Sequence, residues 1–269
     1  MPVDYGVPSV VSAAIVLHAF NYSESSRILR LATREAGVQT VMARGARASQ
    51  RRFGSAVDLF AEGEVQFEVR PGRDMHTLTR FDVVRSRAAL GGSLERFDGA
   101  SALTEVMLRV AGDDDTPADA FDALQSGLDA IASDAAPTVA TIAATWQLLA
   151  SLGFEPALES CVQCDAEVAP TADVSFNAEL GGVLCAACAG RVPARRLPAE
   201  ARQQIARWLR GTDAGPEAAE RFATRSTGDA LSPLEAPTVR AHQRLLRIFV
   251  HAHLTEGRPL RAFDAWAGT

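Results

Sequence analysis

All four cysteines of the chain lie in one stretch, Cys161-Val-Gln-Cys164 and Cys185-Ala-Ala-Cys188, as two C-x-x-C pairs with twenty residues between them. A C-x-x-C pair turns two thiolates inward from one tight knuckle. Two facing knuckles supply the four-sulfur tetrahedron that Zn²⁺ prefers, with Zn–S of about 2.3 Å. Four protein ligands leave no coordination position for water or substrate, so the chemistry predicted here is structural: one Zn²⁺ per chain that fixes a fold. Disulfides are the other use of four cysteines, and the reducing compartment that the rest of the chain implies disfavours them.

The segment between the pairs predicts a ribbon over about 158–192. Asp173-Val-Ser-Phe-Asn177 reads as a short strand, Gly181-Gly182 as a turn and Val183-Leu184 as the returning strand that carries the second knuckle. The ribbon interrupts a helical series. Leu103, Val106, Met107 and Val110 mark one helical face, and Thr116-Pro117 an N-cap with Pro at the first helical position. Phe121, Leu124, Leu128 and Ile131 follow on one stripe, then a third helix from Pro137 with Val139, Ile142, Trp146 and Leu149 inward and Gly153 as its stop. Beyond the ribbon come a helix over 198–210, a Gly/Pro/Ala-rich segment over 211–237 and a helix over 238–254. The last helix sets Val239, Leu246, Phe249, Val250 and Leu254 against Arg240, Arg244 and Arg247 on its other face, a face that is usually solvated but suits an acidic peptide.

Upstream of about residue 88 the period is 2. Ala13–Phe20 is an apolar run of buried-strand length, and Ser26–Thr33 and Val38–Ala43 are further strands. Val65, Phe67 and Val69 alternate with Glu64, Gln66 and Glu68. Arg70-Pro-Gly-Arg73 has the residues of a type II turn, and Met75–Val84 returns as the hairpin partner. Five strands without a long helix predict a small closed barrel of the OB or SH3 kind over residues 1–87. The fold class is therefore α+β and multidomain: an N-terminal OB-type β-barrel, then an α-helical bundle domain over 88–269 that carries the four-cysteine zinc ribbon.

The 269 residues carry a net charge of −6, unevenly placed. Residues 1–96 hold 13 Arg against 10 acids (+3) and the remainder 14 Arg against 23 acids (−9), so the first third is the part fitted to a polyanion. One stretch concentrates the charge: Arg44, Arg47, Arg51 and Arg52, with Phe53 and no acid, among small residues. Guanidinium groups pair with phosphates and an aromatic ring offers a stacking face. The same composition fits an ordinary solvated loop. Arg195 and Arg196 form a second small cluster. No apolar run reaches the length of a membrane span, and Asp4 with no preceding basic residue argues against a signal peptide, which points to the cytoplasm.

Catalytic constellations are absent from the sequence. The five histidines are scattered, there is no P-loop, G-x-G-x-x-G, G-x-S-x-G or H-E-x-x-H, and Asp113–Asp115 reads as a solvated acidic loop in preference to a Mg²⁺ site. The chain reads as a binding protein and not an enzyme.

The order of barrel, basic loop, helices, ribbon and closing helix resembles the bacterial recombination mediator family RecO. The resemblance is carried by Ala43-Arg-Gly-Ala-Arg47, Arg52-Phe-Gly54, Leu152-Gly-Phe through Cys164, Gly181-Gly-Val-Leu-Cys-Ala-Ala-Cys188 and Leu260-Arg-Ala-Phe263. It implies non-catalytic work on DNA in the bacterial cytoplasm, at the nucleoid: binding of single- and double-stranded DNA, annealing of complementary strands and, with RecR, replacement of single-strand binding protein by RecA. It further implies that the barrel contacts DNA and RecR and that the helical domain takes the acidic C-terminal tail of single-strand binding protein. The expected DNA face is Arg44, Arg47, Arg51, Arg52 and Phe53 with Arg70 and Arg73 on the hairpin turn, extended by Arg195 and Arg196. The rival reading is a zinc-ribbon nucleic-acid-binding or scaffold protein without annealing activity. Against nucleic acid on the ribbon itself, Asp165–Leu184 holds four acids and no Arg.

Overall fold

The computed structural model describes residues 8–46, 58–110, 116–210, 234–255 and 258–268. Arg47, Arg51, Arg52 and Phe53 of the basic loop, and Asp113–Asp115, lie outside the described residues.

Five strands, β1 (Ser9–Tyr22), β2 (Ser26–Thr33), β3 (Gly37–Ala43), β4 (Glu62–Glu68) and β5 (His76–Arg85), close a barrel in the order β1-β2-β3-β5-β4. Only β3 and β5 run parallel; the other pairs are antiparallel, as in an OB barrel. Gly72 sits at φ 71°, as the expected type II turn requires.

β1 closes the barrel by pairing twice, with β4 over Ser9–Ile15 and with β2 over Ala14–Tyr22. Its register with β2 shifts between Val16 and His18. One extra residue in a strand of period 2 moves every later side chain to the opposite face. Before the shift, Ala14 and Val16 fill the barrel while Ile15 and Leu17 pack against the helices; after it, Ala19 points in. His18, Phe20 and Tyr22 are consequently exposed, so the apolar run Ala13–Phe20 is buried over Ala14–Leu17 and not over its whole length.

The helical half contains α1 (Leu94–Val110), α2 (Ala118–Ser133), α3 (Pro137–Ser151), α4 (Ala199–Arg210), α5 (Ala236–Leu254) and α6 (Arg261–Ala267). Pro117 takes the N-cap position of α2 with extended ψ of 139°, so this helix starts one residue later than Thr116-Pro117 predicts. α3 is buried on nearly all sides, including Thr141 and Thr145, whose hydroxyls donate to Pro137 O at 2.8 Å and Thr141 O at 2.7 Å. It ends in a Schellman turn: Gly153 has φ 89° and Phe154 N–H donates to Leu149 O at 2.8 Å. Trp146 is fully buried against Phe249, ring centroids 5.0 Å apart, and is core as expected.

Barrel and helices share one apolar core in which Ile15, Leu17, Ala32, Val38 and Phe60 meet residues of α1 to α3. Polar groups clamp the same seam. Arg87, its side chain 2% exposed, donates to Glu62 Oε2 at 2.6 Å, Asp129 Oδ1 at 2.7 Å and Phe60 O at 2.9 Å. Gln125 donates to the other Glu62 oxygen at 2.7 Å. Arg34 forks onto both oxygens of Asp122, and its guanidinium lies 4.8 Å over the Phe121 ring. None of these partners is apparent from sequence spacing.

Candidate metal centre and nucleic-acid interface

The ribbon is a three-stranded sheet, ordered β7-β6-β8, of β6 (Val174–Asn177), β7 (Gly182–Leu184) and β8 (Arg195–Leu197). The first two are the expected hairpin. β8, read from sequence only as a basic cluster, is a third strand paired to β6. The first knuckle is tightened by Asp165 N–H to Cys161 O at 2.9 Å and tied to the hairpin by Val162 N–H to Val183 O at 3.0 Å. The second turns on Cys188 N–H and Ala189 N–H, both 3.0 Å from Cys185 O. Gly182 is needed where it stands, since a Cβ there would lie 2.5 Å from Ala157 O.

The four sulfurs of Cys161, Cys164, Cys185 and Cys188 all lie within 4.8 Å of one another, and Cys164 Sγ is 3.7 Å from Cys185 Sγ. That is far beyond a disulfide bond of about 2.05 Å. It matches the edge of about 3.8 Å of a tetrahedron drawn from Zn–S bonds of about 2.3 Å. The residues therefore fit a zinc ion. Cys161 and Cys188 are buried, Cys185 is half-buried and Cys164 is exposed. The N–H of Cys185 first, then those of Gln163 and Cys164, hold the Cys161 thiol down at about 6. The hydrogen bond to Cys185, then burial, pushes Cys188 up to about 12. Cys161 is thus held toward the thiolate, the form that binds metal; Cys164, like Cys188, is pushed up.

The expected DNA residues divide between two places. Arg44 is exposed directly after β3 and Arg73 is exposed on the β4–β5 turn, with Arg70 half-buried beside it. β3 and β5 touch through Val41 with His76 and Met42 with Thr77, so Arg44 and Arg73 flank the same strand contact. Among the described residues neither has a carboxylate partner. Arg195 and Arg196 are exposed in the ribbon sheet of the helical half, and Arg196 is paired with Asp173. Its hydrogen bond, together with that from Ala199 N–H, holds the Asp173 carboxyl below the usual carboxylate range.

These two arginines instead rim a groove of about 860 Å³ between β8, α4 and α5. Its apolar wall includes Leu197, Leu245 and Ile248, and Arg207 and Arg244 complete a basic rim against the acids Glu200 and Glu235. His242 lines the groove at 3% exposure, edge-on to Trp208 at 4.8 Å, and burial depresses its pKa to about 4. Sequence reading missed the groove because its halves come from β8, α4 and α5, which are far apart in the chain. It also missed the outward row His18, Phe20, Tyr22, whose i, i+2, i+4 spacing at the end of an apolar run was the available signal. Among the described residues, no helix is long and apolar enough to cross a membrane.

The family model described as Recombination protein O N terminal matches residues 9–87, and that described as Recombination protein O C terminal matches residues 92–262. The DNA repair protein RecO of Anaeromyxobacter sp. (strain K) is 37% identical over 250 residues, covering 92% of each chain. Its namesake from Nocardioides sp. is 28% identical over 255 residues, covering 93% of this chain and 96% of its own. That from Syntrophotalea carbinolica is 31% identical over 199 residues, 74% of this chain and 77% of its own. Barrel, helical half and ribbon thus fall within matches that span nearly the whole sequence, and the chain belongs to the RecO family of DNA repair proteins.

Proposed function

We propose that this chain is a non-catalytic mediator of recombinational repair, acting in the bacterial cytoplasm at the nucleoid. It binds single- and double-stranded DNA, anneals complementary strands and, with RecR, helps to replace single-strand binding protein by RecA. The observation that carries this reading is the pair of exposed arginines, Arg44 and Arg73, flanking the β3–β5 contact of an OB-type barrel. Contacts to phosphates read no bases, and annealing requires charge neutralisation on two strands of unrelated sequence. Arg44, Arg47, Arg51, Arg52 and Phe53 form the main DNA face with Arg70 and Arg73.

Cys161, Cys164, Cys185 and Cys188 hold one Zn²⁺, which supplies structural cross-linking and no open coordination site. The groove between α4 and α5 is the favoured seat for the acidic C-terminal tail of single-strand binding protein, because it joins an apolar wall to a rim of Arg195, Arg196, Arg207 and Arg244. In this reading Arg195 and Arg196 serve the protein partner as much as DNA.

The test is annealing of two complementary oligonucleotides coated with the cognate single-strand binding protein, without nucleotide, across a salt series. Acceleration that fades as salt rises is expected. DNA binding without acceleration would leave a nucleic-acid-binding ribbon protein, and no DNA binding at low salt would leave a partner scaffold.

A further inference from the structure

We propose that the outer surface of β1, β2 and β3 is a base-stacking platform on which Phe20 and Tyr22 select unpaired strands over duplex. This deepens the DNA-binding reading above and rests on it. The register shift after Val16 turns His18, Phe20 and Tyr22 outward together, leaving Phe20 41% and Tyr22 51% exposed. Neither ring is used by the barrel interior, which is filled from Ala14, Val16 and Ala19 on this strand.

The strand pairing extends each ring into a row. Phe20 lies opposite Ile28, Ile28 opposite Met42 and Met42 opposite Thr77, so an apolar strip crosses four strands. On one side of it, His18 lies opposite Arg30 and Arg30 opposite Thr40. On the other, Tyr22 lies opposite Ser26, and Arg44 follows Ala43, the partner of Arg27. The strip is thus bordered by arginine on both sides; the acids beside it are Glu24, in the turn after Tyr22, and Glu68, opposite Thr77 at its far end. Such a surface combines what an extended polyanion with flat bases requires: cations for phosphates and rings for bases.

Spacing gives the selectivity. Side chains two apart on a strand stand about 6.8 Å apart, about twice the 3.4 Å step of a stacked strand. One base on each ring therefore demands an extended strand whose bases have left their neighbours. Duplex DNA keeps its bases inside and reaches the same surface only through phosphates.

The experiment compares the whole protein with Phe20→Ala, Tyr22→Ala, the double variant and Phe20→Trp, measuring affinity for oligo(dT) and for a duplex of equal length over a salt series. Each alanine is expected to lower oligo(dT) affinity about tenfold, with duplex affinity and both salt slopes unchanged. Unchanged duplex binding also reports an intact barrel. Phe20→Trp is expected to keep oligo(dT) affinity, and its added fluorescence is expected to be quenched by oligo(dT) and not by duplex. The proposal is overturned if the double variant binds oligo(dT) like the parent, if it loses both DNA forms equally, or if the new tryptophan is not quenched. Parent protein that binds neither form would instead overturn the DNA-binding reading itself, and the stacking proposal with it.

Discussion

Arg87, at the seam between barrel and helices, and Arg44, on the barrel surface, carry the same charge in opposite surroundings. Arg87 has a side chain 2% exposed, with each guanidinium nitrogen bonded to a carboxylate or a carbonyl. Arg44 is exposed, with no carboxylate beside it among the described residues. A guanidinium buried and tied in this way is closed to a ligand and fixes geometry; one left in water can exchange hydration and counterions for phosphate. The difference separates a residue that holds the two halves together from one whose charge stays open to solvent and to an anionic partner. The cysteine cluster belongs with Arg87, since it is closed, partly buried and remote in kind from the exposed face.

The largest expected effect comes from breaking that closed chemistry. The purified chain should contain one zinc, and Cys161→Ser or a strong chelator should remove it. Metal binding to such sites is folding free energy, on the order of 10 kcal/mol in isolated zinc modules. The ribbon should therefore lose its order, read as rapid proteolysis within 158–192. The salt slope of DNA binding should stay as it was. A chain that binds no zinc, or whose ribbon resists protease without it, would remove the structural role assigned to the cysteines.

Arg87→Met comes next. It leaves Glu62, a side chain 12% exposed, without a cation, while Asp129 keeps its pair with Arg85. Stranding one member of a buried pair costs about 3–5 kcal/mol, whereas replacing both members by apolar groups is often nearly neutral. The urea midpoint should fall accordingly, and Arg87→Met with Glu62→Gln should recover part of the loss. Variant protein that remains folded should bind DNA with the parental salt slope. A fall in that slope would place Arg87 among the phosphate contacts and erase the contrast with Arg44.

The two regions also differ in how far the sequence reveals them. The ribbon is legible because metal geometry demands four thiolates at short spacing, a constraint local in the chain. The barrel's strands are legible from period-2 patterning at Val65, Phe67 and Val69. The seam is not, because Arg34, Glu62, Arg87, Asp122 and Asp129 meet only once barrel and helices pack, and each alone looks like an ordinary surface charge. The outward turn of Phe20 is hidden for a related reason: a bulge reverses the inside–outside alternation, and nothing in the composition of β1 marks where it falls. The placement of Arg195 and Arg196 on a third ribbon strand is likewise not legible, because linear charge density does not tell which sheet will carry it.

The smallest change in stability, and the sharpest test of the contrast, is Arg44→Ala with Arg73→Ala. Both side chains are exposed and make no ion pair among the described residues, so the free energy of urea unfolding should change by no more than about 0.5 kcal/mol. Each phosphate contact contributes about 0.7 to the salt slope on single strands and about 0.9 on duplex. Losing two should flatten the slope by about 1.4 on single strands and about 1.8 on duplex. Because phosphate contacts carry no sequence or pairing information, affinity for both DNA forms should fall together, unlike the selective loss expected from Phe20 and Tyr22. A parental slope in this variant would mean that the exposed arginines flanking the β3–β5 contact are solvated spectators, and that the phosphates meet some other surface.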